Sequence, residues 1–137
     1  MSYMLDTDIF SYVVGKRHPE VRRRFSQMLD SICISAITYA EAVYGARKRG
    51  SDSLTSLVSL FAELVKILPW TDKAAKAYAD IRCDLEKKGT PIGANDMLIA
   101  ASALSSGSVL VTNNVTHFSR VQGLRIENWA VAPKGGL

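Results

Sequence analysis

The sequence predicts an α/β protein of three layers, a central parallel sheet between two sets of helices. Tyr3-Met4-Leu5, Ile32-Cys33-Ile34 and Val109-Leu110-Val111 are apolar runs with the length of buried strands. Between them lie segments whose apolar residues recur at helical spacing, and strands separated in this way pair in parallel through helical crossovers. The 137 residues, 47% hydrophobic and 22% charged, suit one domain with one real core.

Taken in order, Tyr3 to Leu5 is the first strand. Asp8 is placed to cap a short helix from Ile9 to Val14, closed by Gly15. Pro19 suits a first helical position, followed by Val21, Phe25, Met28 and Leu29 on one face. After the strand Ile32 to Ile34, either Ser35 or Thr38 starts a helix that runs towards Lys48 and stops at Gly50. Leu54, Leu57, Val58, Phe61, Leu64 and Val65 predict an amphipathic helix, and Ile67-Leu68 a brief strand before Pro69. Ala74, Tyr78, Ile81 and Leu85 mark the next helix, ended by Gly89 and Pro91. A helix rich in small residues follows from Ala94 to Leu104, then the strand Val109 to Val111 and a short edge strand Arg125 to Glu127. With no linker or repeat, residues 1–132 read as a single domain and 133–137 as a short frayed tail.

Composition narrows the classes. Cys33 and Cys83 lack metal or redox spacing and read as buried free thiols, which fits a reducing, cytoplasmic setting. No apolar run reaches the ~20 residues of a membrane span. The net charge of +4 is mild, but Arg22-Arg23-Arg24, Arg47-Lys48-Arg49 and Lys87-Lys88 are local clusters, either solvated helix faces or phosphate contacts.

Four acids carry the chemical signal. Asp6 follows the first strand at its C-terminal end, the edge where open parallel sheets bind ligands. Asp8 is accounted for by capping or by contact with a metal or substrate. Glu41 completes a capping box with Thr38, unless Ser35 is the cap and Glu41 faces the sheet edge. Asp96 stands in the first turn of a helix, where the macrodipole favours an acid. Thr112, Asn113 and Asn114 end the fourth strand at the same edge, while His18 and His117 read as structural or surface residues. Acids gathered at one edge repel each other unless a cation lies between them. Oxygen donors without a His or Cys cluster favour Mg²⁺ or Mn²⁺, hence phosphoryl transfer.

Four segments in register sharpen this reading: Met4-Leu5-Asp6-Thr7-Asp8, Ser35 through Glu41, Pro91 through Asp96 followed by Ile99-Ala100, and Val111 through Phe118. In order and spacing they resemble PIN domains. From Met1 to about Trp129 the chain is similar to VapC toxins of bacterial type II toxin–antitoxin systems, most closely the enteric group. The resemblance implies Asp6, Glu41 and Asp96 as catalytic acids and ligands of Mg²⁺, with Mn²⁺ able to substitute. Thr7 and Thr112 match hydroxyls around those acids. Asp8 stands where the family usually has Asn, and Asn114 where many members have a fourth acid. The implied activity is endonucleolytic cleavage of structured RNA, above all tRNA anticodon loops, which inhibits translation. Implied partners are a VapB-type antitoxin, a second copy in a homodimer, and a larger complex of toxin with antitoxin. Arg22, Arg23, Arg24, Arg47, Lys48 and Arg49 are candidate RNA contacts. Asp6-Thr7-Asp8 also resembles the Asp-x-Asp of haloacid-dehalogenase-type phosphatases, although Ile9-Phe10 replaces the Gly-Thr usual there. A PIN module that binds RNA or protein without cutting is the third reading.

Overall fold

Strand β1 (Tyr3–Leu5) lies at the centre of a five-stranded parallel sheet in the computed structural model, which describes residues 1–131. Helices α1 (Thr7–Gly15) and α2 (Pro19–Gln27) lead through a 3₁₀ turn at Leu29–Ser31 to β2 (Ile32–Ser35). Helices α3 (Ala36–Arg49) and α4 (Asp52–Glu63) lead to the edge strand β3 (Lys66–Leu68). The chain then returns through α5 (Asp72–Lys88) and α6 (Ala94–Ser106) to β4 (Val109–Val111), on the other side of β1. The short helix α7 (Val115–Phe118) precedes β5 (Ile126–Glu127). The sheet order is therefore β3-β2-β1-β4-β5, with every pair parallel.

The three layers follow from the two-residue period of the strands. Leu5, Ile32, Ile34 and Val111 face one core, packed by α1 to α4. Met4, Cys33 and Leu110 face the other, packed by α5 and α6. Leu5 pairs with Ile34 on one side and Val111 on the other, so Asp6, Ser35 and Thr112 form the next row at one sheet edge. The order reverses direction at β1 and β4, which makes the crevice outside their C-terminal ends the switch point of the sheet.

Several expectations need correction. Helix α1 begins at Thr7, not Ile9, and Gly15 is its last helical residue; Lys16 takes the left-handed closing position instead, at φ 57°. The stripe on α4 is only partly internal. Val58 and Ala62 are buried, whereas Leu57, Leu60 and Leu64 are 37%, 52% and 46% exposed. Peripheral α4 packs one flank on α3 and turns the rest of its apolar surface outward. Cys33 is buried but Cys83 is exposed, and both are free. The 3₁₀ turn and α7 were not foreseen. The predicted boundary at 132 and the tail at 133–137 lie outside the described residues. Among those described, no helix is long and apolar enough to cross a membrane.

Candidate active site

No loop separates β1 from α1, so one side chain serves both elements. Asp6 ends the strand and caps the helix, its Oδ1 accepting from the Ile9 N–H at 2.9 Å. Burial leaves it 3% exposed. The predicted cap, Asp8, is instead an exposed first-turn residue. The residue that leaves the strand must accept the first free helical N–H, and here that residue is Asp6.

Glu41 is also freed from the role of cap partner. Ser35 caps α3 by accepting from the Ile37 N–H at 3.1 Å, so the box of Thr38 and Glu41 does not form. Glu41 lies further along the helix, half-buried. Its Oε1 accepts from the Thr7 hydroxyl at 2.7 Å and its Oε2 from the Asn95 amide at 3.0 Å. Its carboxylate is thus held between α1 and α6. Asp96, half-buried in the first turn of α6, follows directly on Asn95.

The charges show how close these groups lie. Burial is the main cause that pushes the Asp6 carboxyl up to about 7; Asp8 and Asp96 add to it, while the Thr112 hydroxyl and the Ile9 N–H oppose it. Asp96 is raised by burial, then by Glu41 and Asp8, with the His117 imidazole pulling the other way. Asp6, Asp8, Glu41 and Asp96 therefore share one edge. Thr7 lies beside them through its bond to Glu41 and Thr112 through its hydroxyl on Asp6.

Two residues escaped the sequence reading. Asn95 positions Glu41, and the only local signal was its place beside Asp96. His117, read as a surface or structural residue, acts on Asp96, and its Nδ1 lies 2.8 Å from the Asn114 amide nitrogen. Asn114 also binds the Thr112 hydroxyl through its backbone N–H at 2.9 Å. It brings no charge to the edge.

The basic clusters separate. Arg22 donates twice to the Val13 carbonyl and stacks over Phe61 at 4.8 Å from the ring centroid. Arg23 pairs with Glu20; Arg24 pairs with Glu20 and Glu127 and lies over Trp129. Arg22 and Arg24 thus knit α2 to α1, α4 and the segment around β5, while Arg23 pairs within α2 and stays exposed. Lys48 lies over the Tyr44 ring, while Arg47 and Arg49 are exposed at the end of α3. Arg49 and Arg17 border a groove of about 420 Å³ between α1, α3 and α4, floored by Phe10 and Val58 and reaching Thr7 and Glu41.

Among the described residues, no three His, Cys, Asp or Glu side chains converge into a ready-made metal cage. The donor set still fits Mg²⁺, which keeps several waters and is commonly held by one or two carboxylates together with substrate phosphate. Asp6 and Asp96 are the fitting pair. Glu41, with both oxygens engaged, suits contact through water rather than direct ligation.

Residues 3–124 match the PIN domain family. The chain is 42% identical over 130 residues to "Ribonuclease VapC2" of Haemophilus influenzae, covering 94% of this chain and 98% of that protein. It is 37% identical to the "tRNA(fMet)-specific endonuclease VapC" of Salmonella typhimurium, again over 94% and 98% of the two chains. In shape it is similar to a chain in the crystal structure of VapBC2 from Rickettsia felis bound to a promoter DNA fragment, with a TM-score of 0.88 and 35% identity, covering 94% of this chain and 99% of that one.

Proposed function

The chain belongs to the PIN-domain family, among the VapC ribonucleases, and from that premise we propose that it is the toxin of a toxin–antitoxin pair that cuts structured RNA. The observation that carries this reading is the buried Asp6 at the switch point of the sheet, within reach of the Asp96 and Asp8 charges, with Glu41 tied to the neighbouring Thr7 and Asn95. A phosphatase with Asp6 as nucleophile and Asp8 as acid is not favoured. Asp6 spends an oxygen on the α1 cap, and the relatives are ribonucleases.

Asp6 and Asp96 would hold Mg²⁺, with Mn²⁺ as a substitute and Glu41 reaching it through water. When bound, the ion would lower the pKa of a water for in-line attack and offset charge on the phosphoryl oxygens. The residues supply orientation and charge. Asp6 is locked by the cap and by Thr112, so its free oxygen has one direction. Thr7 and Asn95 keep Glu41 from swinging away, which leaves it poised to orient water at the crevice. Both carboxyls are raised above their ordinary range, by burial first and then by neighbouring acids, a repulsion that a cation would relieve.

The substrate we favour is initiator tRNA, by analogy with the Salmonella relative, which is named for its specificity for tRNA(fMet). Its anticodon loop presents the unstacked strand that a recessed site needs. The partner is a VapB-type antitoxin, as in the Rickettsia complex, and the chain is expected to form homodimers. Support comes from Leu57, Leu60, Leu64 and Ile67, an exposed apolar set larger than isolated surface residues account for. The groove that reaches Glu41 suits a segment of the antitoxin, whose Arg could fork between two carboxylates in place of a metal.

Incubation of the purified protein with initiator tRNA tests this reading. Internal cleavage is expected in Mg²⁺ or Mn²⁺, to cease in EDTA and to return on adding back the ion. Cleavage at full rate in EDTA would exclude a metal-dependent mechanism.

A further inference from the structure

We propose that the loop joining α1 to α2, Lys16-Arg17-His18 stacked against Tyr12, docks an unpaired RNA base and its phosphate beside the acids. This deepens the ribonuclease reading and rests on it. In the expected basic cluster, Arg22 and Arg24 are engaged across elements, Arg22 with the Val13 carbonyl and Arg24 with Glu127. In this loop, by contrast, Lys16, Arg17 and His18 are all exposed.

The loop is built around one ring. The His18 imidazole lies 4.4 Å from the Tyr12 ring centroid, and the Arg17 guanidinium carbon 5.2 Å from the same centroid. Arg17 donates to the Ser11 hydroxyl at 3.0 Å through one nitrogen, which aims the fork and leaves other N–H groups for a phosphate. The backbone is held in an unusual shape to achieve this. Lys16 and His18 both adopt positive φ, 57° and 56°, although neither is glycine and His18 precedes Pro19. Among the described residues these are the only non-glycine positions with positive φ. Strain of this kind persists where surroundings over-determine it, often at ligand clamps.

Position completes the case. The Tyr12 hydroxyl lies 3.4 Å from the Asn113 amide nitrogen, and Asn113 directly follows Thr112, the hydroxyl that acts on Asp6. Arg17 and Ser11 also border the groove that reaches Thr7 and Glu41, so a strand led along it to the acids would meet the platform. π-faces for a base and cations for a phosphate are the pair of features by which single strands are held.

The test is fluorescence anisotropy with labelled single-stranded heptauridine RNA and the full chain, in EDTA to prevent cleavage. Arg17→Gln should weaken binding roughly five- to thirty-fold and flatten the log–log salt slope by about 0.7, the value for one single-strand phosphate contact. Tyr12→Ala should weaken binding to a similar extent and Tyr12→Phe less than twofold, which separates loss of the ring from misfolding. In Mg²⁺, Arg17→Gln should raise KM for tRNA with little change in kcat. Wild-type affinity and salt slope in both Arg17→Gln and Tyr12→Ala, in a chain that still cuts RNA, would overturn the platform alone. A wild-type chain that neither binds nor cuts RNA would overturn the platform and the ribonuclease reading together.

Discussion

Asp6→Asn should give a protein that no longer cuts RNA, by roughly a thousandfold or more, yet unfolds at a higher temperature than the wild type at pH 8. Both effects come from the same carboxylate. The folded protein pushes the Asp6 carboxyl up to about 7 from an ordinary value of 3.8. The native state therefore binds more protons than the unfolded chain between those values. Stability associated with this group is fully present below pH ~4 and is lost as pH rises towards about 7. At about 1.4 kcal/mol per unit the full penalty is on the order of 4 kcal/mol, and local relaxation should leave about half of it. Asn removes the charge and keeps the cap, since its side-chain oxygen can still accept from the Ile9 N–H. The expected gain at pH 8 without divalent metal is roughly 6 °C in Tm, fading towards zero at pH 4. Thermal melts of both proteins across that range check the sign. Equal Tm values at pH 8 would mean that Asp6 is not held against its ionisation.

Trp129→Ala should be the most damaging single change to the fold, at about 3–5 kcal/mol in urea unfolding. Trp129 is fully buried, its ring 5.9 Å from that of Tyr3 and its Nε1 donating to Glu127 at 3.0 Å. It joins the core on the α1 to α4 side of the sheet and lies beneath Arg24. Truncation would open a cavity and unseat Arg24 and Glu127 together. A loss below ~1 kcal/mol would show that the chain after β5 contributes little to the domain.

How much of this was legible depends on how local each signal is. The strands at Tyr3, Ile32 and Val109 could be read because a buried parallel strand is a short apolar run, and α5 because its apolar spacing is regular. Their association into three layers followed from the alternation of elements. Caps were harder. Asp6 and Asp8 are both acceptable caps by residue type, and only the absence of a loop after β1 selects Asp6. Ser35 and Thr38 posed the same ambiguity, resolved by Ser35 leaving the strand first. Residues with distant partners were not legible at all. Asn95 holds Glu41 across 54 positions, and its place beside Asp96 was the only local mark. His117 looked peripheral because its effect on Asp96 exists only once β4 and α6 meet. The arginines at 22 to 24 show the opposite failure. A charge run on a helix suggested a ligand surface, but one guanidinium stacks on Phe61 and another lies over Trp129.

The account rests centrally on Asp6 and Asp96 sharing a divalent cation while Glu41 stands back, held by Thr7 and Asn95. Calorimetric titration of Mn²⁺ into the wild type, Asp6→Asn, Asp96→Asn and Glu41→Gln tests this most directly. One well-held ion is expected in the wild type, lost in both Asp variants and weakened less than about tenfold in Glu41→Gln. Undiminished binding in Asp6→Asn and Asp96→Asn would contradict it.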